Sequence, residues 1–180
     1  MSLVAIQGVK GSYSEEAAIR LMGLEAEIVE CHDFPSTFAA VESSQAEYAV
    51  VPVENKIVGE IQGSMSILRG SELRVIEKLP LKVMHVLTGT TDATNDSIKT
   101  VRSHVEALRQ CRRFLSEHPR WTQVIGADTA SSIRRIVEEG KRENGAIGSR
   151  RAAEMYGAKI IAENIADDHD NWTTFCLIGK

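Results

Sequence analysis

The sequence predicts an α/β protein built as two lobes. Three observations carry that expectation. Apolar runs of strand length alternate with helical patterns along the chain. Two such series fall either side of Pro80. No Gly/Ser-rich or Pro-rich segment of low complexity separates them. Leu3–Gln7 reads as a strand, followed by the turn Gly8-Val9-Lys10-Gly11 and a helix from about Ser14 to Met22. Glu27–Cys31 is the next strand, and a helix from about Pro35 to Ser43 follows. Tyr48–Val53 is a near-continuous apolar run, the pattern of a strand covered on both faces. Met65–Leu68 fits a short helix, and Arg74–Leu87 holds one or two strands broken at Pro80.

The second series repeats the scheme. Ile98–Arg102 is a strand and His104 to about Glu117 a helix. Thr122–Ala127 is a strand and Ala130 to Glu139 a helix. Gly145–Gly148 is a strand and Arg150–Tyr156 a helix, with late strands at Ile160–Ala162 and Thr174–Ile178. Alternation of this kind implies largely parallel sheets. If the last strand returns to the first lobe, residues 1–79 with 166–180 form one lobe and 80–165 the other. The expected architecture has a central cleft and a double-crossing hinge, similar to that of type II periplasmic binding proteins.

Composition excludes several classes. The chain has 180 residues, 43% hydrophobic and 26% charged, within ordinary globular proportions, and its net charge of −4 comes without any basic block suited to nucleic acid. Arg109, Arg112 and Arg113 cluster on a helical pattern rich in polar residues, which reads as a solvated face. Cys31, Cys111 and Cys176 are odd in number, widely spaced and without a CxxC, so free thiols in a reducing compartment are expected rather than a zinc site. There is no basic-apolar leader and no apolar run near the roughly 20 residues of a membrane helix. The expectation is a cytoplasmic protein without nucleic-acid or membrane partners.

Candidate chemistry gathers at strand-to-helix junctions. Gly11-Ser12-Tyr13-Ser14-Glu15, Ser103-His104-Val105-Glu106 and Asp128-Thr129-Ala130-Ser131-Ser132 each put a hydroxyl where a helix begins. Such ends carry backbone N–H groups without intrahelical partners and partial positive charge, and in open α/β sheets they face the ligand crevice. Together they suggest a site for a small anion with one or more carboxylates. Ser12 to Glu15 and Ser103 to Glu106 also spell a capping box, which needs no ligand. Gly8-x-x-Gly11 is not a nucleotide motif. The loop Pro52-Val53-Glu54-Asn55-Lys56-Ile57-Val58-Gly59 leaves a buried strand through an acid, an amide and a cation; it reads as a ligand-lining loop or as a solvated turn. The closing stretch Asn171-Trp172-Thr173-Thr174-Phe175 places an amide and two hydroxyls at a strand mouth, just after the acidic loop Asp167-Asp168-His169-Asp170. His85 and the two tryptophans, Trp121 and Trp172, read as packing residues. No Ser-His-Asp or Cys-His arrangement stands out.

These segments, in this order, resemble the catalytic domain of prephenate dehydratase over essentially the whole chain. The matching pieces are Gly8-x-x-Gly11-Ser12-Tyr13-Ser14-x-x-Ala17, Val53-Glu54-Asn55-x-x-x-Gly59, Ser103-His104 with Ala107-Leu108-x-Gln110-Cys111, Asp128-Thr129-Ala130, Ala146-Ile147-x-Ser149-x-x-Ala152-Ala153-x-x-Tyr156-Gly157, and Asn171-x-Thr173-Thr174-Phe175. The resemblance implies conversion of prephenate, a small dicarboxylate, to phenylpyruvate, water and carbon dioxide in phenylalanine synthesis. Because aromatisation drives that reaction, it implies neither a metal nor an organic cofactor. It makes Thr173 the catalytic residue, donating to the departing hydroxyl. Ser12, Tyr13, Glu54, Asn55, Lys56, Ser103, His104, Thr129, Ala130, Asn171, Thr174 and Phe175 become the substrate-binding set. It also implies a homodimer or homotetramer.

The chain departs from the family pattern at two site positions. Thr174 stands where the family carries arginine, and Lys56 stands where it carries serine. One expectation is that Lys56 partly replaces the missing guanidinium as a carboxylate ligand; the other is that it is a solvated loop lysine. The chain also ends at Lys180, where family members continue into an ACT regulatory domain, so none is expected here. Three alternatives stay open: a prephenate decarboxylase on the same fold, against which Thr173 argues; arogenate as substrate; and a non-catalytic small-molecule-binding module, which the missing arginine favours.

Overall fold

The computed structural model describes residues 2–180 and is mixed α/β, in the two-lobe class expected. The first compact unit takes the chain up to Val83 together with Asp170–Lys180; the second is Met84–His169.

The first unit holds β1 (Leu3–Gln7), α1 (Tyr13–Met22), β2 (Glu27–Cys31), α2 (Phe34–Glu42), β3 (Tyr48–Asn55), β4 (Gly59–Glu60), α3 (Gln62–Gly70), β5 (Arg74–Lys82) and β11 (Trp172–Gly179). Its sheet runs β2-β1-β3-β11-β5, with β4 paired to β3. The central strands are apolar on both faces because both are covered. Val4, Ile6, Val50, Phe175 and Leu177 pack with Ala17 and Ala18 of α1. Ala5, Ala49, Val51, Cys176 and Ile178 pack with Phe38 and Val41 of α2. Burial of a side chain the size of Phe38 contributes roughly 1.5–3 kcal/mol, so α2 is held mainly by its apolar stripe.

The second unit holds β6 (Val86–Gly89), β7 (Thr100–Ser103), α4 (Val105–Gln110), α5 (Arg112–Ser116), β8 (Thr122–Ile125), α6 (Thr129–Glu139), β9 (Asn144–Gly148), α7 (Arg150–Tyr156) and β10 (Lys159–Ala162). Its sheet runs β10-β6-β9-β7-β8. Leu87, Val101 and Ile147 pack with Leu108 of α4 and Leu115 of α5. Ile133 and Ile136 of α6 are also fully buried.

Three expectations are corrected. The sheets are mixed rather than largely parallel: β1 with β2 and β3, and β7 with β8 and β9, are parallel, and the other pairings of described strands are antiparallel. In the first sheet β11 and β4 run against β3, and in the second β6 runs against both of its neighbours, β9 and β10. Pro80 does not break a strand. It lies inside β5, which is the sheet edge, where a missing N–H costs no second ladder; the interruption falls at residues 83–85 instead. The helix expected from His104 to Glu117 is two short helices divided at Cys111 (φ −111°, ψ 25°), whose side chain is buried.

Candidate active site

The C-terminal end of β3 and the start of β11 build the most concentrated polar constellation of the first unit. The ladder between these strands is antiparallel and contains an irregularity: Thr173 faces Asn55 and Thr174 faces Glu54, but Phe175 faces Pro52. Val53 is thus an extra residue on β3, a β-bulge, and such bulges re-aim side chains beside functional sites. Opposite β5 the same stretch of β11 stays in regular register, with Thr173 facing Leu81 and Thr174 facing Pro80. Alternation along β11 therefore sends Thr173 to the face of Phe175 and Leu177. Thr174 goes to the opposite face with Cys176.

On the Thr173 face, Asn55 is the hub. Its Oδ1 accepts from the backbone N–H groups of Ile57 (2.9 Å) and Val58 (3.1 Å), which fixes the orientation of the amide. Its Nδ2 then donates to Asn171 Oδ1 at 2.8 Å and to Thr173 Oγ1 at 2.9 Å. All three side chains are buried, Asn171 completely. Both amide protons and both lone-pair directions of Asn55 are used. Thr173 consequently accepts a hydrogen bond, and its own O–H donates to no group among the described residues. A buried hydroxyl held in this way is a donor awaiting an acceptor.

Beside this hub, the Lys56 N–H donates to Trp172 O at 2.8 Å, tying the loop after β3 to β11. The Lys56 ammonium pairs with Asp170, and Trp172 Nε1 donates to the other oxygen of that carboxylate at 3.0 Å. The Lys56 hydrogen bond, assisted by Trp172 and by the charge of Lys82, holds the Asp170 carboxyl below its ordinary pKa. Both members of the pair are accessible, with 57% and 62% of their side-chain surface exposed. Lys56 thus already has a carboxylate partner in Asp170. Asp170 was passed over in the sequence set, although its place three residues before Thr173 was a usable signal. Trp172, read as a packing residue, is 39% exposed and serves this carboxylate.

Glu54 and Thr174 are not brought to the hub. They face each other across the ladder on the opposite side of the sheet, where Glu54, Glu60, Lys78 and Cys176 line a separate depression of about 270 Å³. An arginine at 174 would meet Glu54 there, and its loss does not remove a charge from the Thr173 face. Phe175 is buried among apolar side chains and supports the strand.

Ser12 caps α1 by accepting from the Glu15 N–H at 3.2 Å, while Glu15 Oε2 accepts from the Gly11 N–H at 2.7 Å. The adjoining Tyr13 packs against the apolar cluster under α1.

In the second unit, Ser103 is fully buried and donates to Ile147 O at 2.7 Å, so it is not the cap; His104 caps α4, its Nδ1 accepting from the Glu106 N–H at 3.2 Å. Thr129 and Ala130 open α6, whose cap is the Asp128 carboxylate, accepting from the Ser131 N–H at 2.7 Å. An acid already placed at that dipole weakens its attraction for a second anion. A groove of about 540 Å³ runs beside α6 between Arg102, Gly126 and Arg135; it takes in Ser131 and Ser132 of the junction before α6 but no member of the substrate-binding set. His85 is buried with Nε2 2.8 Å from Gln110 Oε1, and burial pushes its pKa down, so it is a neutral core residue. Trp121 packs in the core, stacked on His118 at 3.9 Å. Among the described residues no group of three or more His, Cys, Asp or Glu could hold a metal, and no helix is long and apolar enough to cross a membrane.

Comparison with known proteins matches this chain to one family model, described as prephenate dehydratase, over residues 4–180. "Arogenate dehydratase/prephenate dehydratase 1, chloroplastic" of Arabidopsis thaliana is 36% identical over 98% of this chain and 45% of its own length. The bifunctional chorismate mutase/prephenate dehydratase of Escherichia coli K12 is 31% identical over 98% of this chain and 47% of its own. The chain thus spans about half the length of these curated relatives. Among solved structures, the prephenate dehydratase of Arthrobacter aurescens in complex with L-Phe superposes with a TM-score of 0.89 at 28% identity, covering 99% of this chain and 60% of that one.

Proposed function

From the premise that the chain belongs to the prephenate dehydratase family, we propose that it is a carbon–oxygen lyase. It removes water and carbon dioxide from a cyclohexadienyl dicarboxylate of the prephenate type, in the synthesis of phenylalanine. The observation that carries this reading is the Asn55–Thr173 hydrogen bond, which Thr173 Oγ1 accepts, leaving its own O–H to donate elsewhere. In the reaction the ring C–O bond breaks, the hydroxyl leaves as water with a proton, and the ring carboxylate departs as carbon dioxide. The electron pair of the broken C–C bond completes the aromatic ring. Thr173 donates its hydrogen bond to the departing oxygen, where negative charge grows. A threonine is too weak an acid to give up its proton outright, so the proton that completes water comes ultimately from solvent. Positioned donation of this kind contributes about 10²–10⁴-fold.

A carboxylate in place of Asn55 would draw the Thr173 proton to itself, whereas an amide that donates leaves it available. Asn171, fixed by the same amide, holds β11 at its entry. The threonine at 174 does not favour a non-catalytic module, because that position lies on the other face of the sheet. The three free cysteines support a reducing, cytoplasmic setting.

The test is incubation of the purified protein with prephenate, with products followed by mass. Thr173→Ala should lower kcat by about 10²–10⁴-fold while KM moves little, and Thr173→Ser should keep part of the rate. Prephenate and arogenate both stable at high enzyme concentration would overturn the proposal.

A further inference from the structure

The Thr173 hub depends on one irregularity, the bulge at Val53 that sets Asn55 opposite Thr173. What holds that bulge lies outside the hub. A bulged residue is left unpaired and its ladder is locally broken, so other groups must fix it. The residue before it sharpens the need. Pro52 has no N–H to give, and within sheets proline is confined to edges, strand starts and bulges. β3 is no edge, since β1 and β11 flank it.

Both carbonyls at the bulge are taken by one short segment. Val53 O accepts from the Ile61 N–H at 2.9 Å, and Pro52 O accepts from the hydroxyl of Ser64. Ile61 is the N-cap residue of α3, and Ser64 lies in the first turn. A serine there ordinarily bonds within its own turn or to water. Ser64 has such a local acceptor, Ile61 O at 3.1 Å, yet it also reaches a carbonyl 12 residues back in the chain. It is fully buried. The start of α3 is itself held in place. A Cβ at Gly63 would stand 3.0 Å from the Phe34 ring, so glycine there lets α3 sit close on α2.

We infer that Ser64 is a positioning residue of the dehydratase site. Its hydroxyl anchors the Pro52 carbonyl, and through it the bulge that aligns Asn55 with Thr173. The inference rests on the dehydratase reading given above. Met65 and Leu68 of α3 pack with Val51 and Cys176, on the sheet face away from Thr173. The effect of Ser64 on the Thr173 hydroxyl therefore passes through the backbone of β3, where Asn55 follows Pro52 by three residues. Removal of the Ser64 hydroxyl leaves Pro52 O without its donor and the bulge without its anchor. A misplacement of about 1 Å at the reacting groups lowers a rate by about 10²-fold.

Steady-state kinetics of the full chain with prephenate, run as a double-mutant cycle with Thr173→Ala, test this. Ser64→Ala should lower kcat by about ten- to a hundredfold, with KM changed by less than about threefold. Ser64→Thr, which keeps the hydroxyl, should return most of that rate. In the Thr173→Ala background, Ser64→Ala should lower kcat by less than a further factor of about three, because the hydroxyl it helps to align is gone. A general loss of structure, or a smaller folded fraction, would lower kcat by the same factor in both backgrounds, and that result overturns the inference. If Ser64→Ala does not fold, Ser64→Cys, with a weak thiol donor at the same place, goes through the same cycle under the same criterion. An unchanged kcat where Thr173 is intact also overturns the inference and leaves the dehydratase reading standing. Absence of turnover by the wild-type chain, with prephenate and arogenate alike, overturns both.

Discussion

At the scale of single residues, the position that most sharply departs from the family pattern changes meaning once the ladder is known. Thr174 reads from the sequence as a lost carboxylate ligand. In the sheet it is the cross-strand neighbour of Glu54, on the face away from Thr173. Thr174→Arg should therefore act on stability rather than on substrate affinity. An opposite-charge pair directly across a ladder contributes roughly 0.2–1 kcal/mol, so a small rise in the urea midpoint is expected with KM unchanged within about threefold. A KM that falls tenfold would return position 174 to the substrate. The residues of the site were legible as types: Asn55, Asn171 and Thr173 all stood out as polar groups at strand ends. Their grouping was not, because period-two alternation says which residues share a face only when the register is known, and the register here shifts at Val53. The Lys56–Asp170 pair was illegible for a related reason, since it joins residues 114 apart in sequence.

Among the elements, strands and helices were legible wherever burial imposed a strong pattern. Leu3–Gln7, Glu27–Cys31 and Arg150–Tyr156 fall where the apolar runs and helix pattern place them. The misreadings share one cause, a local signal overruled by context. Pro80 is tolerated because its strand is an edge, and the helix pattern from His104 onward is split at Cys111. The helix starts were read correctly as capped and incompletely as to who caps them. Ser103 is drawn to the Ile147 carbonyl, leaving the cap to His104, and α6 is capped by Asp128 rather than by a hydroxyl. Asp128 also accepts from the Ser131 hydroxyl at 2.7 Å. Asp128→Ala should then cost about 0.5–2 kcal/mol, measured as a lowered thermal midpoint. An unchanged midpoint would mean that α6 is held by Ile133 and Ile136 alone.

For the whole molecule, a buried thiol contributes to how the fold responds to alkali. Cys111 is fully buried, and burial, with the nearby Asp167 adding to it, pushes its pKa up from 9.0 to about 12. The native state thus keeps a proton that the unfolded chain releases. This contribution is fully present below pH 9 and disappears as the pH rises towards 12. Within that window it removes stability at about 1.4 kcal/mol per pH unit. Urea titrations at pH 8 and above pH 10 should show that loss, and Cys111→Ala should have a flatter alkaline limb; equal slopes would rule the thiol out as the cause. Native thiol labelling at pH 8 should reach Cys31, which is half-buried, before Cys111 or Cys176. The bulge at Val53 has a consequence of another kind, because it makes length part of the site. Were Val53 paired in regular register instead, it would face Thr174, and Glu54 rather than Asn55 would stand opposite Thr173. One surplus residue thus works as a frame setting, choosing which of two neighbours in the chain the Thr173 hydroxyl meets.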